Sequence, residues 1–266
     1  MKFALNFHQT FKPERTHISS LISFQKLSAT KEEISHKYAI PTGKTSGKVE
    51  VNLKYAQAAS LLTYQRDKGN YNICRSYIGD FLYDNDEYLE DDLSQMLIHY
   101  MFCKKNSPLI LWSLLFNDFH KSYKSFNREN FQQFVEKRLD SKINLSPLLG
   151  TYIGENPLID IKLLKQDGNN KFTFGKINMI NQYVYWFAFF MLDFLTEIDN
   201  SRLDFTFSEI QYSGFPEIFG WNSSDMKNLL HLIEKIGVVS LNKQFDNYHI
   251  YLNKNPKEIL ANLIYI

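Results

Sequence analysis

The sequence has little cysteine, little net charge and no apolar run long enough to cross a membrane. Its two cysteines, Cys74 and Cys103, have neither metal-site spacing nor a disulfide framework, which predicts a reduced, cytoplasmic protein. The most apolar stretch runs from Tyr183 to Leu195; it is too short to span a bilayer and contains Asp193. The N-terminus also lacks the long apolar segment of a secretory signal. No membrane partner is therefore predicted.

The formal net charge of +1 excludes a uniformly basic nucleic-acid-binding protein, but the charges are unevenly distributed. Nine Lys and Arg residues stand against four acids between Met1 and Thr63, whereas six acids fall within the nine positions from Asp84 to Asp92. This asymmetry favours one surface for a polyanion and another for a cation or a basic partner. The alternative is that both runs are solvated faces.

The N-terminal part has the pattern of a winged helix-turn-helix. An opening helix is predicted over Arg15 to Leu27, and Thr30 with Glu33 forms a capping box for a short second helix. Pro41 and Gly43 interrupt the chain before a third, more basic helix from about residue 44 to 59, and residues 65–71 resemble a hairpin. Helix, turn, helix and wing is the order that carries a recognition helix into a DNA groove.

The third helix supplies the candidate DNA-binding residues. Four-residue spacing predicts an outer stripe of Lys44, Lys48 and Asn52. Lysine side chains there would meet phosphates, and hydroxyl groups near the helix start would donate hydrogen bonds. The predicted DNA-binding set is Thr42, Lys44, Thr45, Ser46, Lys48, Asn52 and Lys54. The alternative is a winged helix that binds protein, and a phosphate loop is excluded because Tyr38 and Thr42 occupy the positions where such a loop needs glycine.

The remaining chain predicts a mainly α protein with small β-hairpins, in the α+β class. Amphipathic segments over residues 93–102, 108–120 and 127–139 predict a helical middle. Residues 171–266 repeat the winged-helix theme with an apolar helix, a helix at about Ser224 to Ile236 and two alternating strands. The predicted domains are residues 1–78 (winged helix-turn-helix), 79–143 (helical), 144–170 (a Gly- and Pro-containing connection) and 171–266 (winged-helix-like).

Several polar and aromatic residues are predicted to be structural rather than functional. His99 lies on an apolar helix face, where a histidine is more often hydrogen-bonded in the core than a ligand. The three tryptophans, Trp112, Trp186 and Trp221, are predicted to be core residues rather than platforms on which bases stack.

An ordered set of short motifs resembles a bacterial family, the domain of unknown function numbered four thousand and seven. The first motif is Phe7-His8-Gln9-Thr10-Phe11 followed by Arg15. In the second, Gly43-Lys44 matches the Gly-Lys of a turn in the family, although the surrounding residues of this sequence differ from the family pattern. Three further segments then follow in the family's order: Asp86-Glu87-Tyr88-Leu89-Glu90-Asp91, Leu97-Ile98-His99-Tyr100 and Trp112-Ser113-Leu114-Leu115-Phe116-Asn117-Asp118-Phe119. The resemblance covers residues 7 to 135.

The resemblance implies a component of DNA phosphorothioation and anti-phage defence loci. It implies double-stranded DNA as one partner and, as another, a sulfurtransferase similar to PAPS reductases or another protein of the defence locus. One group of members, called SspB, is associated with DNA nicking, so the resemblance leaves open that this chain is a magnesium-dependent nicking endonuclease.

Candidate catalytic residues are His8, Arg15, Glu90 and Asp91. A histidine can act as general base and an arginine can stabilise a pentavalent phosphate. Glu90 and Asp91 are predicted Mg²⁺ ligands because magnesium prefers oxygen donors and they lie in a family-matching segment. The structural alternatives are that His8 ties the N-terminal segment to the fold and that the acids satisfy the dipole of the following helix. A non-catalytic scaffold or transcriptional regulator that uses its winged helices for partner contact remains the competing function.

Overall fold

The fold was analysed on a computed structural model that describes residues 3–43, 47–168, 170–244 and 247–264. Helices predominate, and three small antiparallel sheets accompany them in the described chain. The α+β class predicted from the sequence is confirmed. Each sheet belongs to a succession of helix, strand, helices and hairpin, and we call these successions unit 1, unit 2 and unit 3.

Unit 1 contains the first sheet, with strand order β1-β3-β2. Thr30 ends β1 and caps α2 through the predicted capping box with Glu33. Lys68 and Gly69, with φ values of 46° and 91°, form a two-residue hairpin turn whose backbone twist suits antiparallel strands. Its elements are α1 (Arg15–Ile22), β1 (Lys26–Thr30), α2 (Lys31–Tyr38), α3 (Lys48–Ala58), β2 (Leu62–Asp67) and β3 (Asn70–Arg75).

One boundary prediction in unit 1 was wrong. The helix predicted from Arg15 to Leu27 ends at Ile22, and Leu27 belongs to β1, where it lies opposite Ile73 of β3. Only the pairing with β3, almost 50 positions later in the sequence, makes this segment a strand. Local periodicity could not reveal that pairing.

Two helices join unit 1 to unit 2: α4 (Tyr77–Asn85) and α5 (Asp92–Cys103). Ten of the twelve residues of α5 are buried, so this helix is enclosed on all sides. Phe102 of α5 lies 6.1 Å from Tyr55 of α3, and Tyr100 stacks on Phe190 of unit 3 at 4.7 Å. Helix α5 therefore packs against units 1 and 3 at once.

Unit 2 repeats the sheet order, as β4-β6-β5. Its first helix contains a π-helical segment, Leu114–Phe119, between α6 (Ile110–Ser113) and α7 (His120–Ser122). The other elements are β4 (Ser125–Phe126), α8 (Arg128–Leu139), α9 (Ser146–Gly150), β5 (Leu164–Asp167) and β6 (Lys171–Phe174). The predicted helical middle thus contains a strand, and the segment predicted as a connection contains α9 and β5.

Unit 3 has the same order again, β7-β9-β8. Thr206 ends β7 and caps α11 through a capping box with Glu209, just as Thr30 does for α2. After a 3₁₀ turn (Asn181–Tyr183), the elements are α10 (Val184–Ile198), β7 (Asp204–Thr206), α11 (Phe207–Gln211), α12 (Phe215–Ile218), α13 (Ser223–Lys235), β8 (Val239–Gln244), β9 (Asn247–Leu252) and α14 (Pro256–Ile264).

The buried apolar side chains of all three units form one continuous cluster. Trp112, Trp186 and Trp221 are 1%, 4% and 5% exposed, which confirms the prediction that they belong to the core. Among the helices that the structure describes, none combines the length and the apolar character needed to cross a bilayer.

Candidate nucleic-acid interface

Helix α3, the predicted recognition helix, is covered by the chain's own N-terminal segment (residues 3–14). The ring of Phe7 packs edge-on against Tyr55 of α3 at 5.2 Å, and the Tyr55 hydroxyl donates to the carbonyl of Phe11 at 3.0 Å. On its other side Tyr55 meets Trp112 of unit 2 at 5.9 Å. Seven of the eleven residues of α3 are buried and none is exposed. The helix thus offers a groove only the partly accessible side chains of Lys48, Glu50 and Lys54.

The predicted outer stripe of α3 is wrong at Asn52. This side chain is 0% exposed, accepts a hydrogen bond from the backbone N–H of Glu14 at 3.3 Å and donates to the carbonyl of Lys48 at 2.9 Å. This hydrogen bond attaches Glu14, the residue that precedes α1, to α3. It also gives the buried amide the partner that buried polar groups require. Asn52 is therefore a structural residue.

Lys48 is engaged within the protein. Its ammonium group lies 2.5 Å from the Glu14 carboxylate, and His17 lies 3.4 Å from the same side chain. Burial lowers the pKa of His17, Glu14 opposes this effect and Lys48 adds to it. Lys48, Glu14 and His17 form a compact charged cluster in which the lysine already has its counter-ion.

Two of the other predicted DNA-binding residues, Thr42 and Lys54, line a small polar cavity of about 120 Å³ together with Gln9. The Lys54 ammonium group is 2.9 Å from Glu50, and this hydrogen bond is the main reason why the pKa of Glu50 is lowered. Lys44, Thr45 and Ser46 lie outside the described residues.

His8 and Arg15 contact different parts of the fold. His8 is fully buried, its Nδ1 lies 3.1 Å from the carbonyl of Gln9, and burial lowers its pKa. Arg15 donates through Nη2 to the carbonyls of Pro157 and Leu158, at 2.8 and 3.3 Å. Arg15 thus ties the start of α1 to unit 2, and the His8 ring meets Trp112 of unit 2 edge-on at 6.3 Å. Among the described residues, no contact joins the two side chains at one site.

Glu90 and Asp91 are exposed at the start of α5. Asp86 accepts hydrogen bonds from both of their backbone N–H groups, at 3.0 and 2.9 Å. Among the residues that the structure describes, no group of three or more His, Cys, Asp or Glu side chains is placed to hold a metal ion. The arrangement is that of acids ahead of a helix N-terminus.

His99 lies in the core, as predicted. Its Nε2 is 2.7 Å from the carbonyl of Ile218 and its Nδ1 is 2.9 Å from the Tyr152 hydroxyl. His120 makes a parallel contact with the carbonyl of Glu217 at 2.8 Å. Burial lowers the pKa of His99 to about 3 and that of His120 to about 4, so both rings are neutral at pH 7. The two histidines hold the carbonyls at the end of α12.

Helix α13 of unit 3 is an open helix that the sequence analysis did not select as a DNA-binding element. Asn222 caps it through the N–H groups of Ser224 and Asp225, and its buried side is apolar. Seven of its thirteen residues are exposed, namely Ser223, Ser224, Lys227, Asn228, His231, Glu234 and Lys235. The signal was present in the sequence, because the apolar positions 226, 229, 230 and 233 leave a polar stripe on the opposite face.

Comparison with known proteins gives the fold and the family. The chain is similar to an SspB crystal structure, with a TM-score of 0.76, 14% sequence identity and coverage of 98% of this chain and 88% of that one. It is equally similar to a magnesium ion-bound SspB crystal structure, with a TM-score of 0.76, 13% identity and the same coverage. No curated protein matches. The sequence profile of one family matches residues 8–148, more than half of the chain, and this protein therefore belongs to the family described as "Protein of unknown function (DUF4007)".

Proposed function

We propose that this protein is a DNA-binding component of a bacterial DNA phosphorothioation and anti-phage defence system. The observation that carries the proposal is the threefold occurrence of one sheet order in a unit that consists of a helix, a strand, two or three further helices and a hairpin. That order of elements is the one expected of a winged helix, in which the helix before the hairpin is the candidate for reading DNA. Membership of the family and the SspB-like fold support the defence role.

Duplex binding is the first test. Labelled duplex DNA is titrated with the full chain at about 50 mM and about 200 mM salt, and we expect the affinity to fall at least tenfold because phosphate contacts release counterions. A protein that binds no duplex at the lower salt concentration would exclude the DNA-binding role.

The partner is tested separately. We expect the protein to co-purify with a sulfurtransferase similar to PAPS reductases when the two are expressed together, since the family resemblance implies a shared defence locus. Co-purification is measured at physiological salt, and retention of duplex binding without any such complex would limit the proposal to DNA contact.

Magnesium-dependent nicking is a second candidate function, favoured by the similarity to a magnesium ion-bound SspB. Glu90 and Asp91 offer exposed oxygen donors of the kind that Mg²⁺ prefers. In the described chain no third carboxylate converges on them from another segment, so they fit a water-rich ion and not an enclosed site. We derive no catalytic step from this arrangement.

Plasmid nicking decides this candidate. Supercoiled plasmid is incubated with protein and Mg²⁺, using the wild type, a Glu90→Ala/Asp91→Ala variant and a control with Asp84→Ala/Glu87→Ala in the same acidic stretch. Loss of open-circle product in the first variant alone would support Glu90 and Asp91 as ligands. Activity that survives in that variant would assign the metal elsewhere, and no conversion by the wild type would remove the enzymatic role.

Unit 1 favours a scaffold as the competing function. Because α3 is covered by residues 3–14 and by unit 2, this unit is built into the body of the protein. A scaffold of this kind would retain its partner complexes while showing no salt-sensitive duplex binding.

A further inference from the structure

We propose that the protein contacts duplex DNA through unit 3, with α13 in the major groove and the β8–β9 hairpin beside it. This inference rests on the proposed function and changes its location, because the sequence pattern assigned the contact to α3. Three observations support it: the exposure of the helix that precedes the hairpin in each unit, the exposed side chains of α13, and the charges around α13.

The first step compares the helix that precedes the hairpin in each unit. In unit 1 this is α3, which has no exposed residue. In unit 2 it is α9, a five-residue helix with Pro147, Leu148 and Leu149 buried. In unit 3 it is α13, which has seven exposed residues and only four buried ones. Of the three, α13 has the most open face for another macromolecule.

The second step is the chemistry of that face. Ser224, Lys227, Asn228 and His231 follow the three- and four-residue spacing of one helical stripe, and Lys235 continues it. These side chains offer hydroxyl, amide, imidazole and ammonium groups, which hydrogen-bond to base edges and phosphates. No large apolar side chain is exposed on α13, so the face does not have the aromatic or aliphatic anchors of a protein interface.

The third step is charge. Of the two acids on α13, Asp225 is already paired with Lys176 at 2.7 Å, and Glu234 accepts a hydrogen bond from the backbone N–H of Leu241 at 3.1 Å. Lys227 and Lys235 remain exposed, and Lys243 is exposed on β8 next to the helix. Glu234 is itself exposed and lies 3.8 Å from His231, so among the described residues it is the one acid of α13 without a lysine partner. The three exposed lysines outnumber it, and this excess of positive charge fits a phosphodiester backbone.

The dimensions agree with this occupant. Thirteen residues make a helix about 20 Å long, and a B-DNA major groove about 12 Å wide admits one α-helix. The Lys227 ammonium group lies 5.6 Å from the Phe207 ring, so this lysine is on the side of α13 that faces α11. The hairpin stands in the position of a wing that meets the flanking backbone.

The experiment compares two charge-reversal variants of the full chain. Lys227→Glu/Lys235→Glu alters the α13 face, whereas Lys137→Glu/Lys142→Glu makes the same change in charge at exposed lysines in unit 2, one on α8 and one just after it. Because all four side chains are exposed, both variants are expected to keep the wild-type melting temperature. Duplex affinity is measured by fluorescence anisotropy across a range of salt concentrations.

We expect the α13 variant to lose about ten- to hundredfold in affinity at about 0.1 M salt, with a log–log salt slope smaller by about two, since two phosphate contacts are removed. The unit 2 variant keeps the wild-type affinity and slope. If the wild type binds and both variants bind equally well, the location on α13 is wrong while the DNA-binding function stands. If the wild type binds no duplex, both the function and the location are overturned.

Discussion

Asn52 shows how the contacts of a single residue can contradict a predicted DNA-binding surface, here the outer stripe of α3. Its amide lies where a groove-reading side chain was expected, yet it bonds to the backbone of Glu14 and of Lys48. Glu14 in turn holds the Lys48 ammonium group. Through these contacts Asn52 and Lys48 are bound to the start of α1.

The Asn52→Ala substitution should lower the free energy of unfolding by about 1–3 kcal/mol, because it leaves buried polar groups without partners. Gln57→Ala on the same helix is the control, since the described structure gives that half-buried side chain no hydrogen bond. Urea unfolding measures both. Equal losses in the two variants would show that the Asn52 hydrogen bonds do not stabilise α3.

The lowered pKa of His120 implies that the stability of the fold depends on pH. Its pKa of about 4 in the fold lies below the value of about 6.5 in the unfolded chain, so the unfolded state binds more protons between these values. The stabilisation is complete above pH 6.5 and is lost as the pH falls towards 4. Glu217 acts in the opposite sense, because burial raises its pKa and the folded state then gains protons first as the pH falls.

We therefore expect His120→Phe to reduce the loss of stability between pH 7 and pH 5 by about 2 kcal/mol relative to the wild type. Urea unfolding at both pH values gives the difference directly. The phenyl ring keeps the stacking on Phe174, where the two rings lie 3.9 Å apart in the wild type. Parallel pH dependences for wild type and variant would contradict a buried neutral imidazole.

At the scale of elements, α5 and α10 are joined by an ion-pair network. Lys104 lies 3.0 Å from both Asp193 and Glu197, and the Tyr100 hydroxyl donates to Asp193 at 2.7 Å. Burial works against the charge of Lys104, but the two acids outweigh it and its pKa is raised. The network explains how the most apolar helix of the chain accommodates Asp193.

Replacement of Lys104 by Met should cost about 2–3 kcal/mol of stability at pH 7. The change removes the cation from two carboxylates that are each about a fifth exposed or less, and this partial solvent access moderates the loss expected of a buried pair. Lys105→Met, at the exposed neighbouring position, should change stability by less than about 0.5 kcal/mol. Similar effects in chemical denaturation would argue against the network.

Some helices and strands were predicted correctly from the sequence and others were not. The Thr30–Glu33 capping box and the apolar positions of α13 are local signals, so α2 and α13 were placed within a residue or two. Strand β1 was missed because its pairing with β3 is distant in sequence. The cover on α3 could not be predicted for the same reason, since the contact from Phe11 to Tyr55 spans 44 positions and depends on the completed fold.

For the whole molecule, one buried cluster extends through all three units. Trp112 lies between units 1 and 2, whereas Trp186 and Trp221 lie in unit 3. A shared core favours a single cooperative transition, because no unit can unfold without exposing the apolar surface of its neighbours. The domain boundaries predicted at residues 78, 143 and 170 remain a prediction that unfolding can test.

We expect the same urea midpoint from far-UV circular dichroism and from tryptophan fluorescence. Trp112→Phe leaves only the reporters in unit 3, and Trp186→Phe/Trp221→Phe leaves only Trp112, so each variant compares one region with the whole chain. Midpoints that separate within one variant would instead indicate independently unfolding domains.

The attachment of residues 3–14 has a consequence for synthesis on the ribosome. The carbonyl of Gln9 accepts from Asn144, Lys12 donates to the carbonyl of Glu155 and Arg15 donates to that of Pro157, so these bonds span 135 to 143 positions. Residues 9–15 therefore gain these partners only after a further 135 to 143 residues have been translated. Throughout that interval the nascent protein exposes the apolar side chains that will later enclose α3, and we expect chaperones to bind it at that stage.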